Sequence, residues 1–142
     1  VTGPAVTVQA VATTDQLAAL QAQCRNVFVD PSLVQYAVKL VSATRNPDKH
    51  GLKGLKSFIT YGASPRATIG LVEGARALAM LRGRNYALPE DMTDLVPDVL
   101  RHRLVLSYEG LAEGLDADAL IGRIMAAITP PAKPLEHEKR AA

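Results

Sequence analysis

The chain has 142 residues, 16 basic and 14 acidic side chains and a formal net charge of +2, a balance without the concentrated positive field that non-specific nucleic-acid binding needs. Aromatics make up 4% and tryptophan is absent, so the interior must come from Ala, Leu and Val, as in packed helices, and this length closes one core without disulfides or metals. No apolar run approaches the ~18 residues of a membrane span; Cys24, the single cysteine, reads as a small buried hydrophobe and fits a reducing cytoplasm.

Residues 1–12 alternate loosely (Val6, Val8, Ala10) around a Gly3-Pro4 break and read as an extended linker. The start at Val1 without Met leads us to expect either processing or excision from a larger polypeptide. Thr13 followed by Gln16 is a capping-box pair. With Leu17, Leu20, Cys24 and Val27 at helical steps it predicts a first helix over 14–26 with these residues inward. Asp30-Pro31 is an N-cap with proline in the first helical position. It predicts a second helix running to Arg45, its buried face made of Leu33, Val34, Ala37, Val38 and Val41. From Asn46 to Gly62, Pro47 and three glycines interrupt any helical period, so a long loop is expected, with a short strand over 58–61.

Ser64-Pro65 repeats the cap-plus-proline device and predicts the longest helix, over 65–82, closed by Gly83 in the left-handed conformation. Ala67, Gly70 and Gly74 form a stripe of small residues within it. Each glycine costs about 1 kcal/mol against alanine, so close approach of another helix is the expected compensation. Pro89-Glu90-Asp91 opens a fourth helix with Met92, Leu95, Val96, Val99 and Leu100 inward, and Pro97 predicts a kink or break in it. Leu104 to Leu106 reads as a second short strand before a loop at Gly110 and Gly114. Asp116 caps a last helix to Ile128, with Leu120, Ile121, Ile124 and Ile128 on one face. The tail 129–142, Pro-rich and then charged, reads as disordered. The expected fold is all-α: a bundle of four to five helices over 13–128 with a small β-element.

Chemistry is sparse along this chain. His50, His102 and His137 lie in separate segments with no paired ligand spacing, so no metal site is expected. Gly51 to Ser57 imitates a phosphate loop, but Leu55 stands where the second glycine belongs and the preceding stretch is polar, not a buried strand. The informative locus is Gly62-Ala63-Ser64-Pro65-Arg66-Ala67. Arg66 falls in the first turn of the longest helix, where a cation opposes the dipole. A bound anion would reconcile the two, since helix N-termini accept phosphate and a guanidinium can grip it with two donors. From the residues alone an exposed arginine reaching past the helix end into water is the preferred reading, because dipole effects are only about 0.3–1 kcal/mol.

The run from Gly62 to Ala67, together with Ala75 to Tyr86, Pro89-Glu90-Asp91 and Val99 to Leu104, resembles the lid region of MoxR-family AAA+ ATPases. Tyr36, Leu40-Val41 and Ala43-Thr44-Arg45 match a further helix of that lid, and the resemblance covers about residues 8–128. It implies a domain that closes over ATP bound to an α/β core absent from this chain. By position, Arg66 would be the sensor-2 arginine contacting the γ-phosphate, with Ser64 and Pro65 beside it in the nucleotide site. Arg45, Arg101 and Arg103 match family positions for which a structural or interface role is expected. The full-length parent would be an ATP hydrolase using ATP and Mg; this chain alone would be neither an enzyme nor a cofactor binder.

Family members form hexameric or other rings and act as chaperone-like factors in protein maturation or metal-cofactor insertion, often beside a von Willebrand A-type partner. The implied partners are therefore the chain's own core, neighbouring subunits and such a protein, with no nucleic acid and no membrane. Two departures are local: Leu88 replaces a usual capping Thr or Ser, and Gly70 and Gly74 replace alanine. The competing readings are a free-standing helical protein-interaction module and a nucleic-acid-binding domain using Arg76, Arg82, Arg84, Arg101 and Arg103.

Overall fold

The computed structural model describes residues 8–132. The helices are α1 (Thr14–Arg25), α2 (Pro31–Arg45), α3 (Arg66–Leu81), α4 (Pro89–Thr93), α5 (Val96–Leu100), α6 (Tyr108–Ala112) and α7 (Ala117–Ala127). Strands β1 (Ile59–Tyr61) and β2 (Val105–Leu106) pair antiparallel, Ile59 opposite Leu106 and Tyr61 opposite Val105, with a bulge between. The all-α class with a small β-element holds. The long loop contains 3-10 turns at Pro47–His50 and Lys56–Phe58 before the expected strand. The disordered-tail and linker expectations fall largely on residues outside the described range.

Local sequence sets most of these boundaries. Asp30 accepts the Ser32 N–H at 2.8 Å and Asp116 accepts the Ala119 N–H at 2.7 Å, each filling one of the orphan donors at a helix start. Thr13 and Gln16 complete the reciprocal capping box of α1. Gly83 ends α3 at φ 74°, and the Gly83 and Arg84 N–H groups return to the Met80 and Ala79 carbonyls, the Schellman closure. The expected fourth helix is two short ones, broken at Asp94 and Leu95 with Pro97 in the first turn of α5.

The core is a contiguous aliphatic cluster in which α3 is central. Its Ala67, Leu71, Ala75 and Ala79 are fully buried, as are Leu33, Ala37 and Leu40 of α2, Met92, Val96 and Leu100 of α4 and α5, and Leu120 and Ile124 of α7. The small-residue stripe does admit another helix. A Cβ on Gly70 would lie 3.4 Å from Val99 Cγ1 and one on Gly74 3.0 Å from Leu95 Cδ1.

Four expectations need correction. α1 buries none of its residues: Leu17 and Leu20 are about half exposed and Cys24 is only half-buried. In α2 Leu33, Ala37 and Val41 are buried as expected and Tyr36, Leu40, Ala43 and Thr44 join them, while Val34 and Val38 are exposed. Both faces of α2 carry aliphatics, and contact with α3 and α7 decides between them. Residues 108–112, read as part of a loop, form α6, capped by Ser107 through the Gly110 N–H at 3.1 Å. Gly110 is buried there because Phe58 packs where a side chain would stand. Finally, Ser64 does not cap α3 with its side chain.

Candidate functional site

The start of α3 is built from the backbone outward. Pro65 occupies the N-cap position at φ −55° and ψ −23°, already helical. A residue in that conformation keeps its preceding carbonyl within reach of the first turn. The Ala67 N–H donates to the Ser64 carbonyl at 2.9 Å and the Thr68 N–H to the Pro65 carbonyl at 3.0 Å. Carbonyls therefore do the work expected of the Ser64 hydroxyl, in the 3-10 pattern that often tightens helix ends. Two N–H groups that an anion might have used are already engaged.

Ser64, Pro65 and Arg66 are consecutive and exposed, whereas Ala63 and Ala67 on either side are fully buried. Arg66 has no hydrogen-bond or ion-pair partner among the described residues. The other arginines considered for a basic stripe are differently placed. Arg82 bonds Asp91 and Asp94, Arg84 bonds Asp91, and Arg101 bonds Asp98 and Asp118. Arg76 donates to the Arg25 carbonyl at 2.6 Å and pairs with Glu73. Arg103, half-buried, makes no ion pair with a described carboxylate, and one such cation among four that are bonded elsewhere gives little of the field that nucleic acid requires.

Behind the exposed triplet lies an attachment that sequence reasoning missed. Thr44, 1% exposed near the end of α2, donates its hydroxyl to the Val41 carbonyl at 2.7 Å and accepts the Ala63 N–H at 2.9 Å. Arg45 Nη1 donates to the Ala63 carbonyl at 2.9 Å. Both polar groups of residue 63 are thus held by adjacent residues of α2. Gly62 permits it, since any Cβ there would overlap the Thr44 carbonyl. Arg45 was expected to be structural or interfacial, and in the structure it is a bridge between segments. The signal available in sequence was the pairing of a Thr-Arg helix end with a later glycine, which names no contact by itself.

A second polar centre closes the far end of α3. Asp91 is fully buried and accepts hydrogen bonds from Arg84 at 2.7 and 2.6 Å, Arg82 at 2.8 Å and the Leu88 N–H at 2.8 Å. Burial pushes its carboxyl up, but the bonds from Arg84, the Leu88 N–H and Arg82 together outweigh that and hold it below the usual carboxylate value. Leu88 lacks a capping hydroxyl, and the Asp91 carboxylate supplies the helix-start acceptor from inside α4.

His50 Nε2 meets Ser42 Oγ at 3.0 Å, an ordinary side-chain contact, and His137 lies outside the described range. Among the described residues no group of three or more His, Cys, Asp or Glu side chains converges on a point where a metal would sit. No helix there is long and apolar enough to cross a membrane.

The described residues form a small helical domain with one two-stranded sheet, and residues 55–124 match the AAA lid domain family. The chain shares 44% identity over 118 residues with Chaperone MoxR1 of Mycobacterium tuberculosis, covering 83% of this chain and 31% of that protein. It shares 41% over 108 residues with Protein MoxR of Paracoccus denitrificans, covering 72% and 32%. A crystal structure of a Cytophaga hutchinsonii protein assigned as an ATPase superposes with a TM-score of 0.80 at 36% identity, covering 83% of this chain and 36% of that one. This chain belongs to the MoxR family of AAA+ ATPases and is its lid domain. It spans about a third of the length of the curated relatives it matches.

Proposed function

We propose that this lid closes over ATP bound to an AAA+ core, with Arg66 as the sensor-2 cation facing the γ-phosphate and Ser64 and Pro65 lining the same site. The observation that supports it is the placing of the unpaired arginines: Arg82, Arg84 and Arg101 are neutralised by carboxylates, and of the exposed, unpaired Arg25, Arg66 and Arg123 among the described residues, Arg66 is the one that stands at a helix start. An unpaired guanidinium at a helix start suits a multiply charged phosphate, which it meets with two parallel donors. Bound Mg-ATP would supply the phosphoryl group and the metal that offsets its charge. The fit of this chain is to the phosphate and not to the magnesium, for which the described residues offer no ligand cluster.

The chain's own part is positional and electrostatic: it brings one fixed cation to the nucleotide and excludes water when closed. The parent is then an ATP hydrolase that works in the cytoplasm as a ring, hexameric as is common in the family. Its lid contacts its own core and neighbouring subunits, and a von Willebrand A-type protein is its partner. That the mycobacterial relative is named a chaperone supports a role in protein maturation or metal-cofactor insertion. The uncovered face of α1, where Leu20 and Val11 line an open groove of about 400 Å³, suits such a core contact. It also keeps the alternative of a free-standing helical interaction module in play.

Arg66→Ala in the full-length parent separates the two. Turnover at saturating ATP should fall at least tenfold, about 1.4 kcal/mol in the barrier or more. The melting temperature of the lid should hold or rise slightly, since a cation leaves a helix N-terminus. Unchanged hydrolysis with the oligomer intact removes the phosphate-facing role and leaves the interaction module.

A further inference from the structure

We infer that Thr44 and Arg45 are positioning residues for Arg66, setting where its guanidinium stands through their joint grip on Ala63. The inference rests on the reading of Arg66 as the phosphate-facing cation. Thr44 Oγ1 holds the Ala63 N–H and Arg45 Nη1 holds the Ala63 carbonyl, each at 2.9 Å. Gripping both polar groups of one residue fixes its peptide planes in rotation as well as position.

The path from there to Arg66 has little slack. Pro65 has φ locked by its ring, and the Ala67 and Thr68 N–H groups tie the first turn to the Ser64 and Pro65 carbonyls. Ala63 and Ala67 are both at 0% exposure, so the exposed triplet is pinned at each end. Thr44 could have satisfied its hydroxyl within α2 alone, as threonines in helices do, and it does donate to the Val41 carbonyl. Its lone pair is used instead on a segment 19 residues away. Arg45 likewise turns its guanidinium to a neutral carbonyl and makes no ion pair with a described carboxylate. Two polar side chains committed to one backbone residue immediately before the exposed triplet make sense when the direction of that triplet matters. For a cation acting at a phosphate, a displacement of about 1 Å is enough to slow turnover up to a hundredfold.

The test is a double-mutant cycle in the full-length ATPase, with kcat and KM for ATP, oligomeric state and melting temperature measured for each protein. Thr44→Val keeps the shape and removes both hydrogen bonds; Thr44→Ser keeps the hydroxyl. Thr44→Val should lower kcat about three- to tenfold with Arg66 present, and change it by less than about twofold in the Arg66→Ala background. Thr44→Ser should restore kcat to within about twofold of wild type. Arg45→Gln, at a half-buried and more tolerant position, is carried through the same cycle in case Thr44→Val does not fold. If both replacements lower kcat equally with and without Arg66, their role is structural and the inference is wrong. It is equally wrong if Arg66→Ala slows turnover while neither replacement does. If Arg66→Ala itself has no effect, the phosphate reading fails and takes this inference with it.

Discussion

Replacing Asp91 by Asn tests whether the buried carboxylate at the junction of α3 and α4 holds the domain together. The amide keeps one acceptor oxygen for a site that receives four hydrogen bonds, and it turns an NH2 group toward guanidinium donors that cannot accept it. Breaking a buried ion pair from one side costs about 3–5 kcal/mol. Here the Arg84 and Arg82 side chains are 21% and 40% exposed, so water recovers part of their solvation, and we expect about 2–3 kcal/mol for loss of the Asp91 charge. For a domain of this size that is a fall in Tm of about 8–12 °C.

The pH dependence gives a sharper check. The Asp91 carboxyl is held below its ordinary value of 3.8, so its contribution is complete above that pH and is lost as pH falls through the lower folded value. The arginines stay charged throughout. Urea unfolding followed by circular dichroism should therefore show a constant gap between wild type and Asp91→Asn from pH 5 to 8, closing below about pH 3.8. A gap below about 1 kcal/mol at pH 7, or one that persists undiminished at pH 2, would refute the role assigned to the carboxylate.

Two glycines in and after α3 should respond with opposite signs. Gly70→Ala places its methyl at an ordinary 3.4 Å from Val99 Cγ1, so the gain in helix propensity should stabilise the domain by about 0.5–1 kcal/mol, read as a higher urea midpoint. Gly83→Ala meets no neighbour but must adopt φ 74°, and should destabilise by about 1 kcal/mol in the same assay, with Gly83→Asn losing less.

The parts of the fold that were legible are those decided within a few residues. Asp30-Pro31, Asp116 and Gly83 announce helix ends because the groups they satisfy are adjacent in the chain, and the stripe of Leu120, Ile121, Ile124 and Ile128 has a single apolar face to bury. Where both faces of a helix are aliphatic, periodicity alone has no answer: Val34 and Val38 fit the period of α2 as well as Tyr36 and Leu40 do, and the packing of α3 and α7 decides. Leu17 and Leu20 fit a helical stripe too, but both stand about half exposed, and no pattern within one helix tells which apolar stripe the rest of the fold will cover.

At the candidate site, Arg66 was visible as a cation on the wrong end of a helix. Ser64 was misread because a hydroxyl and a carbonyl can fill the same capping role, and only coordinates separate them. The hold of Thr44 and Arg45 on Ala63 spans 19 and 18 residues and leaves no local trace beyond Gly62.

That hold also shapes how such a domain can diversify. Because α2 grasps Ala63 directly, the chain between residues 45 and 63 is a closed excursion whose two feet are fixed to each other. Within it, Pro47, Leu55 and Ile59 are anchored in the core, but the tip from Gly51 to Gly54 is largely exposed and bounded by two glycines in the left-handed conformation. Lengthening a loop whose ends are already joined is thermodynamically cheap, about 0.6 kcal/mol for each doubling. New sequence can therefore accumulate at that tip, and new recognition with it, while the arginine at the start of α3 keeps its place.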